Sequence, residues 1–156
     1  MTLYDLFSKR RRFLPLYERA WQAIESHLAI KAGAEDAIPH RLSCFFYASV
    51  VYSLVYQSAV AAGMNTSSAY SVTRIQLAKY PFDAELRHAV DAIFPADEGS
   101  RERRFADHLQ QTVGRIVAAV QAGGVDDIDV GAELADLERF FAEQRFGDEG
   151  VTPAWL

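Results

Sequence analysis

A long stretch without any charged residue is the feature that most limits how this chain folds. Between Arg41 and Arg74 there is no acidic or basic residue. Residues 42–62 have the composition of one long helix, and Gly63 followed by Asn65 marks its end. A helix that is apolar on most sides is either the centre of a bundle or a membrane span. The segment therefore needs either protein or lipid around it.

Hydroxyl groups within the same segment favour the bundle over the membrane. One polar stripe at helical spacing holds Ser49, Tyr52, Ser53 and Tyr56. The remaining segments of the chain are amphipathic and need a surface on which to pack. We therefore predict an all-α, single-domain bundle of five or six helices over residues 1–156, with helix 42–62 buried at its centre. A membrane-associated helical protein is the alternative that this segment leaves open.

Capping residues, prolines and glycines predict where the other helices begin and end. The predicted segments are 3–13, 15–33, 67–80, 81–94, 100–122 and a last helix from about 129. Pro15 either separates the first two helices or kinks a single one. Residues 67–80 also alternate like a strand, but a lone strand leaves its backbone without partners, so a helix is favoured. The tail from about residue 147 is expected to fray.

The net charge of −5 is distributed unevenly along the chain. Residues 1–41 hold seven basic and five acidic residues, whereas residues 123–156 hold two arginines and nine acids. The acidic end argues against a nucleic-acid partner. The basic run Lys9–Arg12 is expected to be a solvated helix end, and contact with phosphates of nucleic acid or lipid is its alternative role.

Several features predict a cytoplasmic protein. The single cysteine, Cys44, cannot form an internal disulfide, and its apolar surroundings predict a small buried side chain. The absence of a disulfide framework fits a reducing compartment. The amino terminus places apolar and acidic residues before its basic cluster, which is the reverse of a secretory signal.

Arginine outnumbers lysine thirteen to three, which is typical of a GC-rich bacterial genome.

The strongest catalytic candidate is the hexapeptide from Arg103 to His108. Its Arg-x4-His spacing resembles the RX4–6H motif of HEPN ribonucleases, which are small helical bundles that act as dimers. The resemblance implies that His108 serves as acid or base while Arg103 holds the scissile phosphate. That family often has Asn, Asp or His after the arginine, whereas this chain has Arg104. The alternative interpretation is a solvated first turn of a helix.

Two partial metal motifs are present, and neither is complete. Glu85 and His88 have the Glu-x-x-His spacing of di-iron bundles, but the chain has no second such pair. The segment from Asp127 to Glu138 imitates a calcium loop whose glycine, Gly131, comes one position early. A helix-surface ion pair and a capped helix start account for these residues. No phosphate loop, dinucleotide glycine pattern or nucleophile elbow occurs. We therefore predict no metal and no cofactor.

These patterns together predict a non-enzymatic protein-binding module of adaptor, chaperone, immunity or regulatory type. The chain has seven tyrosines, ten phenylalanines and two tryptophans, which provide material for an interaction face. The predicted partner is another protein, with a second copy of the chain as one option. A metal-independent HEPN-like ribonuclease that uses Arg103 and His108 is the main alternative.

Overall fold

The computed structural model describes residues 3–32 and 40–146. This part of the chain consists of helices joined by turns and loops, without strands. Its elements are α1 (Leu3–Ala32), α2 (His40–Ala61), α3 (Thr66–Leu77), α4 (Ala84–Ala92), α5 (Arg101–Gln121), a 3₁₀ turn (Val125–Asp127) and α6 (Val130–Glu143). One hydrophobic core collects buried side chains from all six helices. The predicted all-α bundle is confirmed. The fraying expected from about residue 147 falls outside the described residues.

The uncharged segment forms α2, and other helices cover most of its surface. α2 contacts α1, α3, α4 and α5. Every residue from Ala48 to Val55 is buried, so this stretch has protein on all sides. Among the described helices, α2 alone is long and apolar enough to cross a membrane, yet 67 % of that window is buried inside the protein. Its apolar side chains thus already have a protein environment.

Two residues of the polar stripe on α2, Tyr52 and Ser53, bind neighbouring helices through hydrogen bonds, as does the adjacent Gln57. The Tyr52 hydroxyl donates to Asp91 Oδ1 of α4 at 2.6 Å. Ser53 Oγ donates to Gln110 Oε1 of α5 at 2.7 Å, and Gln57 Nε2 donates to the same oxygen at 2.8 Å. A buried hydroxyl without a partner costs about 1–3 kcal/mol, so these bonds fix which neighbour each side of α2 faces.

α1 passes through Pro15 as one helix, which answers the question that the sequence left open. Proline has no N–H, and in a helix interior it costs roughly 3 kcal/mol. Phe13, Leu16 and Tyr17 are buried on either side of it. Burying a large apolar side chain contributes roughly 1.5–3 kcal/mol, so packing offsets the cost of the proline.

α4 begins later than the sequence predicted. Pro81 was expected to open this helix, but Asp83 caps it by accepting the backbone N–H of Leu86 at 2.8 Å. A carboxylate at the N-cap satisfies a backbone N–H that has no partner within the helix, whereas a proline only presets the backbone angle φ. Tyr80 and Phe82, both expected inside helices, therefore lie in the connection between α3 and α4.

Cys44 packs against the hydrophobic core as predicted, but it is only partly buried rather than fully buried. It lies near the amino end of α2, where Ser43 and Tyr47 also reach solvent. Unbroken burial along α2 begins only at Ala48. The apolar neighbours in sequence did not predict this, since a helix places them on different sides.

α5 runs parallel to α2 and antiparallel to α6. The carboxyl ends of α2 and α5 meet where Gln121 Nε2 donates to the carbonyl of Ala61 at 3.1 Å. Arg115 Nη2, in the carboxyl-terminal half of α5, lies 2.7 Å from Glu133 Oε2 in the first turn of α6. Near the amino ends of α2 and α5 the packing is aromatic, with ring contacts among Phe45, Phe46, Phe105, Phe141 and Phe146.

Candidate functional site

Arg103 and His108 lie on one continuous helix. α5 begins at Arg101, and the capping Ser100 accepts the backbone N–H of Arg103 at 3.1 Å, so both residues have helical backbone. Residues five apart on an α-helix are about 140° apart around its axis. The two side chains therefore point to different sides of α5.

Each of the two side chains has its own partners. Arg103 Nε donates to Asp107 at 3.0 Å, and its Nη1 donates to the carbonyl of Ala96 at 3.1 Å. These bonds tie the guanidinium to its own helix and to the preceding loop. Within one chain, the structure does not bring Arg103 together with His108.

His108 instead joins α5 to α6. Its Nε2 lies 3.0 Å from Asp136 Oδ2, and its ring stacks on Phe140 with the centroids 4.2 Å apart and the planes within 5°. Hydrogen bonds from Arg139 and then from His108 hold the pKa of Asp136 below its usual value. Asp136 thus stays a carboxylate and accepts bonds from both neighbours.

We expect His108→Ala to lower the thermal stability of the protein slightly. We expect neither this variant nor the wild type to cleave RNA. The substitution removes one hydrogen bond and one ring contact, together worth about 1 kcal/mol. A loss of that size lowers the melting temperature by about 2–4 °C for a chain of this length. His88→Ala, on the exposed side of α4, is the control and should melt like the wild type. Cleavage of RNA in EDTA that disappears in His108→Ala but persists in His88→Ala would contradict this expectation.

The two partial metal motifs are separate local structures. Asp129 caps α6 by accepting the backbone N–H of Ala132 at 3.0 Å. Glu85 lies in the first turn of α4, and His88 is exposed on the same helix. Within residues 3–32 and 40–146, no group of three or more His, Cys, Asp or Glu side chains is placed to hold a metal ion.

Four aromatic rings from three parts of the chain form a cluster at the protein surface. Trp21 comes from α1, Tyr47 from the amino end of α2, and Tyr80 and Phe82 from the connection between α3 and α4. Each is only partly buried, while all four pack against the hydrophobic core. We call these four residues the aromatic cluster.

The rings of the aromatic cluster contact one another in a closed circuit. Trp21 lies 5.9 Å from Tyr47, which lies 6.0 Å from Phe82. Phe82 lies 5.7 Å from Tyr80, and Tyr80 returns to Trp21 at 6.5 Å. Three of the four pairs are inclined at 59–86°, and only Tyr80 and Phe82 are near parallel, at 12°. Such inclined pairs are a favoured arrangement because ring edges are positive and ring faces negative.

A hydrogen bond fixes the connection between α3 and α4 against α1. The hydroxyl oxygens of Tyr17 and Tyr80 are 2.9 Å apart. Burial first, and then this bond, raise the pKa of Tyr17, so its hydroxyl stays protonated at all physiological pH values. Burial also raises the pKa of Tyr47, with smaller contributions from Tyr80 and Glu25. The hydrogen bond thus holds the Tyr80 ring of the cluster in place against α1.

The sequence predicted that aromatic residues would supply an interaction face but not which ones. Trp21, Tyr47 and Tyr80 are far apart in the chain, and Phe82 was expected inside a helix. The one local signal was the Tyr80-Pro81-Phe82 tripeptide, since the residue before a proline is disfavoured in a helix. That signal does not identify the helices on which the two rings pack.

Comparison with known proteins finds no match. No protein-family model, no curated protein and no solved structure is significantly similar to this chain.

Proposed function

We propose that this chain is a non-enzymatic, cytoplasmic protein-binding module of adaptor, chaperone, immunity or regulatory type. The aromatic cluster is the observation that carries this proposal. Tryptophan, tyrosine and phenylalanine are enriched at protein interfaces, and tryptophan and tyrosine dominate binding energy where they can be fully desolvated. Four such rings, each partly exposed and held in contact with the next, are ready to be covered by a partner.

Rigidity is a second argument for this surface. A side chain that is already ordered before binding loses less entropy when the complex forms. Trp21 and Tyr47 stand on helices, and the hydrogen bond between Tyr17 and Tyr80 restrains the connection. Folding has therefore already ordered these side chains, and binding of a partner would cost little further side-chain entropy.

The ribonuclease alternative now requires a second chain. Arg103 and His108 of one copy bind separate partners, so the shared phosphate site would have to combine Arg103 of one copy with His108 of another. The membrane alternative requires α2 to leave a set of helices that buries 67 % of its apolar window. The membrane alternative therefore demands a rearrangement of the helices and the ribonuclease alternative a second copy at one specific site, whereas a protein partner can bind the aromatic cluster of the fold as it stands.

Photo-crosslinking in native host cytosol tests the proposed function. We expect p-benzoylphenylalanine in place of Lys79, which is exposed beside Tyr80, to form a discrete adduct with a partner protein. The same group in place of Glu143, exposed at the end of α6, is the matched control and should give much less adduct, because the crosslinker reacts only with groups that touch it and Glu143 is not part of the cluster.

Two further variants connect the adduct to the aromatic cluster. Trp21→Ala and Phe82→Ala, each combined with the crosslinker at position 79, should abolish the adduct while circular dichroism remains helical. Equal adducts from positions 79 and 143, or an adduct that survives both ring deletions, would show that the partner binds elsewhere or that no specific partner exists.

A further inference from the structure

We propose that the aromatic cluster receives a cationic side chain, an arginine in a basic segment of the partner protein. This inference rests on the proposed function, because it names the chemistry that the same surface recognises. The negative faces of aromatic rings attract cations, and tryptophan does so most strongly. Arginine is favoured over lysine because its planar guanidinium stacks on rings and is more weakly hydrated.

The geometry of the rings leaves faces available to such a group. When two rings are steeply inclined, the edge of one covers at most one face of the other. Trp21 is inclined at 86° to Tyr47 and at 67° to Tyr80, so these three rings do not form one closed stack. Partial exposure of each ring then leaves part of this surface open to solvent.

Carboxylates border the aromatic cluster on α1. Glu18 and Glu25 lie three residues before and four residues after Trp21, which is the spacing that puts side chains on one helix face. Both are exposed. Glu25 is close enough to contribute to the raised pKa of Tyr47, which independently places its charge near the rings.

The connection between α3 and α4 adds one charge of each sign. Lys79 and Asp83, which flank Tyr80 and Phe82 in sequence, are both exposed. Together with the two glutamates of α1, the border of the cluster carries more negative than positive charge. The Asp83 carboxylate already caps α4, so an arginine would find ring faces for its guanidinium plane and the α1 glutamates for its N–H groups, whereas an anionic partner such as RNA would be repelled.

Binding of a synthetic peptide tests the inference directly. The probe is acetyl-Gly-Arg-Arg-Arg-Arg-Gly-amide, and its control is the same peptide with citrulline, which keeps the planar shape of arginine but is neutral. By isothermal titration calorimetry we expect the arginine peptide to bind at least about ten-fold more tightly, since a desolvated cation–ring contact is worth up to about 2 kcal/mol. In a Trp155→Phe background, where Trp21 is the remaining tryptophan, its fluorescence should change with the arginine peptide.

Charge reversal locates the binding and controls for general attraction to an acidic protein. Glu18→Lys with Glu25→Lys should weaken arginine-peptide binding about ten-fold or more. Glu98→Lys with Glu143→Lys, an equal change at exposed positions on other elements, should alter it less than about two-fold. Trp21→Ala should weaken binding, whereas Ile75→Ala, at an apolar side chain 62 % exposed on α3, should not.

The outcomes separate this inference from the proposed function. Equal binding of the arginine and citrulline peptides, or equal effects of the two charge reversals, would overturn the cationic inference. A cluster-dependent adduct at position 79 would in that case still support the protein-binding function. Conversely, selective arginine binding without any such adduct would support the cation site and contradict the proposed function.

Discussion

Replacing Val51 or Leu54 with aspartate is expected to prevent the chain from folding. Both side chains are completely buried on α2, within the stretch that has protein on all sides. A buried carboxylate must either be desolvated or take up a proton, and either costs several kcal/mol. A small domain has only about 5–15 kcal/mol of net stability, so one such substitution removes most of it.

Circular dichroism and thermal melting of the purified variants measure this effect. Val60→Asp is the matched control, because Val60 is on the same helix, has the same chemistry and is 42 % exposed. It should keep the helical spectrum and melt within a few degrees of the wild type. If Val51→Asp and Leu54→Asp melt like Val60→Asp, α2 is not enclosed by its neighbours in solution.

Phe105→Ala is expected to cost about 3–5 kcal/mol of unfolding free energy, the range for deleting a buried phenylalanine ring. Phe105 is completely buried near the start of α5. Its ring contacts Phe45 and Phe46 of α2, Phe141 of α6 and Phe146, so it joins three helices at one point. Deleting the ring leaves a cavity that three separate elements would have to close.

Urea unfolding of matched variants separates the free-energy cost of the cavity from the cost of removing an apolar side chain. Phe105→Leu keeps most of the side-chain volume and should cost much less than the alanine variant. Ile75→Ala, which removes an equally apolar but largely exposed side chain from α3, should cost less than about 1 kcal/mol. A cost of Phe105→Ala no larger than that of Ile75→Ala would mean that α2, α5 and α6 do not share this core.

The helical class and most helix ends could be predicted from the sequence, because they depend on local interactions. Apolar spacing is a property of neighbouring residues, and so are caps. Ser100 and Asp129 each accept a backbone N–H three residues further on, and each marks a helix start as expected. Asn65 was predicted only as part of the turn after α2, and the structure shows that it also caps α3. Most of the predicted segment 67–80 likewise forms a helix rather than a strand, as the absence of a pairing partner indicated, although that helix ends at Leu77.

Local rules were insufficient where two signals competed. Pro15 and Pro81 are similar as sequence, yet one lies inside α1 and the other lies outside α4. Burial of Phe13 and Leu16 keeps α1 continuous, whereas Asp83 provides α4 with a better start than Pro81. The outcome depends on packing partners that no short window of sequence contains.

The candidate site was decided by tertiary structure alone. The sequence indicated that aromatic residues were available, and the Arg-x4-His spacing suggested Arg103 and His108 as a catalytic pair. The fold directs His108 to Asp136 and gathers Trp21, Tyr47, Tyr80 and Phe82 from distant segments. Helix type and helix ends follow from interactions within a few residues, so the sequence by itself determined them. Which side chains meet at a surface depends on how whole helices pack, and only the tertiary structure contains that information.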